Sequence, residues 1–191
     1  MEVPEEDREL VARHYDSYED KTRALVPHYF LKIWNTGDLA LTRLIWSPDI
    51  VFHSPIGGET INGYDGLLEF AKAIHLAFTN FHYDVEDLIV SGDRVVFRMR
   101  QTGIHTGDYF GIPPTGLPVE MSEVFIFRTA PKGPVGVMIE EVWLRFNVLH
   151  LMQQLKLFPT GNPPRPMFRA IIAFQKLFRI GRRKRGAPAP S

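Results

Sequence analysis

Two long strand–turn–strand stretches fill the middle of this 191-residue chain and decide most of what it can fold into. Residues 81–90 and 94–105 flank Ser91-Gly92-Asp93, a hairpin signal, and residues 119–128 and 135–146 flank the Pro/Gly turn at 130–134. Four strands joined this way read as an antiparallel meander. Helical patterns come before them. Pro4 followed by Glu5, Glu6 and Asp7 places acids in a first turn, and Leu10, Val11, His14 and Tyr18 recur at helical spacing, so residues 1–20 read as one helix. A second helix fits 22–34, with Pro27 expected to kink or restart it and Asn35-Thr36-Gly37 ending it. Asp38 caps a short helix running toward Trp46, residues 49–55 read as a short strand, Gly57-Gly58 as a turn, and 64–78 as a helix. Residues 147–157 look helical again. Helices followed by a meander give an α+β domain.

Composition excludes several functions. The chain has no cysteine, so disulfides, thiol catalysis and cysteine-ligated metals are excluded. Its histidines are scattered rather than paired at ligand spacing, and neither a phosphate loop nor a Gly-x-Ser-x-Gly elbow occurs, so no metal is expected. No stacking motif for nucleic acid is present. The acidic start lacks the apolar stretch of a secretory signal and no run reaches the ~20 apolar residues of a spanning helix, so a soluble, cytoplasmic protein is expected.

Charge is unevenly distributed. All 22 acidic residues lie at or before Glu141, against 12 Lys/Arg, for a net −10; the remainder carries ten basic residues and no acid. Beyond a Pro-rich linker starting at 158, residues 167–180 place Met167, Ile171, Phe174 and Phe178 on one helical face and Arg169, Lys176 and Arg179 opposite, ahead of Arg182-Arg-Lys-Arg185. Such a basic amphipathic helix can dock on its own acidic body, on an acidic partner, or peripherally on a membrane.

A series of short motifs then occurs in order: Ile33-Trp-Asn-Thr-Gly-Asp38, Pro48-Asp49 ahead of His53, Gly57-Gly58-Glu59, Gly63-Tyr-Asp-Gly66, GIHTGDYFGIPPTG at 103–116, IFR at 126–128 and EEVWLRFNVLHLMQQL at 140–155. Over residues 21–157 the chain resembles the SnoaL-like polyketide cyclase (ester cyclase) family, with 1–20 as an N-terminal helical extension and 158–191 as linker and basic tail. The resemblance implies a nuclear-transport-factor-two-like fold, a cone-shaped, strongly curved antiparallel sheet wrapped by helices. It also implies a homodimer, an apolar pocket, and acid–base chemistry by a carboxylate with no metal and no organic cofactor.

The chain departs from its relatives where that chemistry resides. Relatives commonly read Glu-His-Trp-Asp on the closing strand, with the Asp transferring the proton. Here the run is Glu141-Val142-Trp143-Leu144, a second acid found three residues later in relatives is Asn147, and a pocket-facing His or Asp of the preceding strand is Phe125. Other groups must serve if the chain is catalytic. His53, at the end of the first strand, matches a histidine common in relatives, or is a histidine satisfied by a carbonyl. His105 shares the parity of Val95, Phe97 and Met99, with Gly103 allowing a bulge, or sits in a structural turn. Glu123 shares a face with Met121, Phe125 and Phe127, an expensive place for an acid unless it is paired or protonated; on the outer face it is a surface or dimer residue instead.

His53, His105 and Glu123 are thus the catalytic candidates, converging on a cavity walled by Tyr29, Trp34, Phe125, Trp143 and Leu144, and Glu141 with Arg145 an ion pair. Two functional classes stay open: a cofactor-independent cyclase or isomerase for a hydrophobic polyketide- or terpenoid-like molecule of secondary metabolism, and a non-catalytic binding protein using the same cone.

Overall fold

The computed structural model describes residues 2–56 and 60–160. The Gly57-Gly58 turn and the basic helix expected over 167–180 lie outside them.

The N-terminal stretch is not one helix. A 3-10 turn, Glu5–Asp7, and helix α1, Arg8–Ala12, stop at Arg13, and Ser17 starts a new helix by accepting the Asp20 backbone N–H at 3.1 Å. Ser17-Tyr-Glu-Asp20 is an N-cap followed by first-turn acids, and this local signal overrides the spacing that linked Val11 to Tyr18. Helix α2 therefore spans Tyr18–Thr36 and runs through Pro27 without restarting. Gly37 ends it in the left-handed region at φ 75°, its N–H reaching the Ile33 carbonyl. The N-terminal turn is pinned to α2: buried Asp7 accepts from Lys32 Nζ at 3.1 Å and pairs with His28 Nε2 at 2.8 Å.

A 3-10 turn, Leu39–Leu41, capped by Asp38, leads to α3 (Thr42–Ile45), β1 (Trp46–His53), β2 (Thr60–Asn62) and α4 (Tyr64–Ala77). The meander follows as β3 (Phe78–Ser91), β4 (Arg94–His105), β5 (Pro118–Ala130) and β6 (Met138–Phe146), then α5 (Val148–Gln154). Asn147, at the position of the relatives' second acid, caps α5 by accepting the His150 N–H at 3.0 Å.

The result is α+β: a six-stranded, curved, unclosed sheet in the order β2-β1-β6-β5-β4-β3. All pairs are antiparallel except β1 with β6, which run parallel. Register breaks in β3, between Thr79 and His82 and between Val85 and Asp87, add local twist that curls this edge over the core. The concave face is closed by α2. Phe30 packs on Phe125, Phe97 and Phe127 with ring centroids 5.1, 5.5 and 5.7 Å apart. Among the described residues no helix is long and apolar enough to cross a membrane.

Candidate active site

Strict alternation on β5 turns Met121, Glu123, Phe125 and Phe127 inward. Glu123 is therefore an acid inside an aromatic cone, 2% exposed. Its Oε2 accepts the Tyr83 hydroxyl at 2.7 Å. Burial pushes the carboxyl up to about 7, against the opposing pull of the Tyr83 hydrogen bond, which favours the ionised form. Burial and the nearby Glu123 drive the Tyr83 and Tyr109 phenols far upward, so both stay protonated. One group at this site therefore changes charge near neutral pH, beside two phenols that stay neutral.

Tyr83 is itself held from behind. Asn35, in the last turn of α2, accepts the Tyr83 backbone N–H at 2.7 Å and donates to the Tyr83 carbonyl at 3.0 Å. These two bonds satisfy Tyr83 backbone groups on β3, an edge strand of the sheet, and so hold the backbone that carries the phenol.

The cavity beside Glu123 has a volume of about 30 Å³. Trp34, Phe52, Phe70, Phe78, Phe125 and Phe146 supply aromatic wall, and Ser54, Pro55 and Ile56 line it at the end of β1. The polar lining includes Glu123, Tyr83, Tyr109 and Gln101. Phe125 stands opposite Leu144 in the β5–β6 ladder, and both are buried in the wall. The concave face thus surrounds one proton-exchanging carboxyl with a mostly aromatic wall.

The family profile described as SnoaL-like polyketide cyclase matches residues 24–155. The chain belongs to that family. No curated protein matches it. Among solved structures, AclR of Streptomyces galilaeus, provisionally a hydroxylase, is 24% identical with a TM-score of 0.63, covering 86% of this chain and 98% of its own. IdmH of Streptomyces antibioticus, provisionally a polyketide cyclase, is 26% identical with a TM-score of 0.57, covering 68% and 95%. A Catenulispora acidiphila protein of ketosteroid isomerase-like fold, solved with trimethylamine, is 17% identical with a TM-score of 0.57, covering 73% and 98%.

The SnoaL-like cone does not gather all the residues expected there. Glu123, Trp34, Phe125 and Leu144 line the cavity. His53 does not. On β1, Ile50 and Phe52 face inward, so His53 faces outward, where its Nε2 meets Glu141 at 2.8 Å and its ring stacks on Trp143 at 5.2 Å. Trp143 is therefore an outer-face residue, not a cavity wall. The hydrogen bond from His53, with help from Arg128, holds the Glu141 carboxyl below its ordinary range. Glu141 thus pairs with His53 and Arg128, while Arg145 donates to the Leu144 carbonyl at 2.6 Å instead.

His105 faces inward but lies behind Phe78 and Tyr109, its ring centroid 5.4 and 6.2 Å from theirs. Its Nδ1 accepts the Thr115 backbone N–H at 3.3 Å and so carries no proton, which places the hydrogen on Nε2. Burial keeps this imidazole neutral by lowering its pKa. His105 clamps the loop that carries Tyr109. No bulge occurs at Gly103, which pairs regularly with Val119; the irregularity lies across from it in β3. Tyr29 is fully buried against His28 rather than at the cavity.

Four residues of the site escaped the sequence reading. Gln101 had a signal, since it continues the inward parity of Val95, Phe97 and Met99. Tyr83 had one too, since Phe81, Tyr83 and Val85 alternate with His82, Asp84 and Glu86, a pattern cut short by the register break after Val85. Tyr109 sits in a loop, and Asn35 reads as an ordinary helix end.

Proposed function

We propose that this SnoaL-like protein is a cofactor-independent cyclase or isomerase that moves a proton at carbon next to a carbonyl, in a hydrophobic polyketide- or terpenoid-like molecule. The observation that carries the reading is Glu123: buried, pushed up to about 7, and hydrogen-bonded by Tyr83 in an apolar cone. Such a carboxyl is near half-ionised at neutral pH, the state in which one group both takes and returns a proton. In a ring closure, Glu123 takes the α-proton and the enolate carbon bonds to a second carbonyl carbon of the same chain. The oxygen of that carbonyl then receives the proton back from Glu123. Atoms and electrons balance without a redox partner. The likeness to IdmH, provisionally a polyketide cyclase, supports the reaction class.

The acid does not occupy the position expected from relatives. Leu144 stands there, and Glu123 enters the cone from the neighbouring strand at a diagonal position. The same substitution favours the second reading, a binding protein. Deuterium exchange into the methyl group of 2-acetylnaphthalene, a flat aryl ketone, decides between them. Catalysed exchange that falls at least ~100-fold in Glu123→Gln, and is unchanged in His53→Ala, supports proton transfer. Binding without exchange supports the carrier.

A further inference from the structure

We propose that Gln101 recognises the carbonyl oxygen of the ligand, which makes the ligand class of the cone an enolisable ketone presented with its oxygen toward β4. The inference deepens the reading above and rests on the cone being the reaction site.

Gln101 is 3% exposed and lines the cavity, and its Nε2 is buried without a hydrogen-bond partner among the described residues. A buried amide nitrogen carries two donors that nearly always find acceptors in folded proteins. Its surroundings offer little. Its ladder neighbours are Tyr83, whose hydroxyl oxygen does not accept from it, and Met121, a poor acceptor. The unspent donors and the cavity therefore belong together: the missing acceptor is a ligand atom.

Register says which atom. Glu123 stands opposite Met99 on β4, and Gln101 is the next inward residue on that strand. The two side chains leave the sheet at diagonal positions, with backbones roughly 7–8 Å apart. A ketone whose oxygen sits on the Gln101 amide can place its α-carbon toward the Glu123 carboxyl. The same amide then meets the negative charge that develops on that oxygen as the proton leaves, where a preorganised donor is worth most. A hydrocarbon of the same shape, an alkene included, leaves the amide orphaned.

The test pairs 2-acetylnaphthalene with 2-isopropenylnaphthalene, which replaces the carbonyl oxygen by CH2, on the wild type and on Gln101→Met. Wild type should bind the ketone about tenfold more tightly than the alkene, after correction for their different water solubilities, the value of one buried hydrogen bond. Its carbonyl stretch should fall below the value in hydrocarbon solvent. In Gln101→Met the preference should collapse to about one and the stretch should return. The variant should also melt higher, because an orphaned polar group has been removed. No preference in the wild type, or an unchanged preference and stretch in the variant, overturns the assignment. Methyl deuterium exchange separates the two readings: preference without exchange removes proton transfer but keeps Gln101, and Glu123-dependent exchange without preference removes Gln101 alone.

Discussion

The Tyr83 hydroxyl donates to Glu123 Oε2 across 2.7 Å, from a strand two places away in the sheet. Because that bond favours the ionised carboxylate, it opposes burial and sets where the acid titrates. Replacing Tyr83 by Phe leaves burial alone, so the Glu123 carboxyl should rise further. The acid limb of the pH–rate profile for deuterium exchange should shift upward by about one unit, the worth of one hydrogen bond to a charged group of about 1.5 kcal/mol. A limb that stays in place would mean the bond does not tune the acid.

Stability should carry the same signature. The folded carboxyl titrates at about 7 and the unfolded one near 4.5, so the folded state binds more protons between these values. Stability from this group is highest below pH 4.5, falls as pH rises through the window, and levels off above 7. The loss amounts to about 3 kcal/mol. Glu123→Gln removes the titration but keeps an acceptor for Tyr83. Denaturant unfolding should show the variant gaining on the wild type by about that amount from pH 4.5 to 8. A constant difference across that range would mean that Glu123 is not held up by burial.

How much of this could be read beforehand depends on regularity. β4 and β5 alternate without interruption, so the shared face of Glu123, Phe125 and Phe127 followed from spacing alone, while its inward direction came only with the fold, and the β4 boundaries coincide with the expected ones. β1 was also legible in outline, but its parity is set by burying Ile50 and Phe52, and that choice turned His53 out to Glu141, a residue 88 positions later. No local pattern contains such a pairing. Likewise Asn35 and Tyr83 lie 48 residues apart and meet only because the end of α2 reaches the edge strand β3. The motifs gave the family and the cone. The tertiary crossing gave the neighbours of the acid.

The vacant family position offers the last test. Leu144 is 5% exposed, paired with Phe125, and is the inward residue next to Phe146, the partner of Glu123. Leu144→Asp therefore puts a second carboxyl diagonally beside the first, in an apolar wall with no cation among the described residues lining the cavity. Burial and the neighbouring acid both disfavour its charged form, so its folded pKa should lie well above the ordinary ~3.9 and Glu123 should be driven higher still. Since both shifts are upward, the variant should be closest to wild type in stability at acid pH and fall away as pH rises. At pH 8 a loss of roughly 3 kcal/mol or more is expected, from the buried charge together with the lost leucine packing. Chemical denaturation at pH 5 and pH 8 reads this directly. Equal losses at both values would show that the new carboxyl escapes to water, and that the wall around Leu144 is more open than the structure places it.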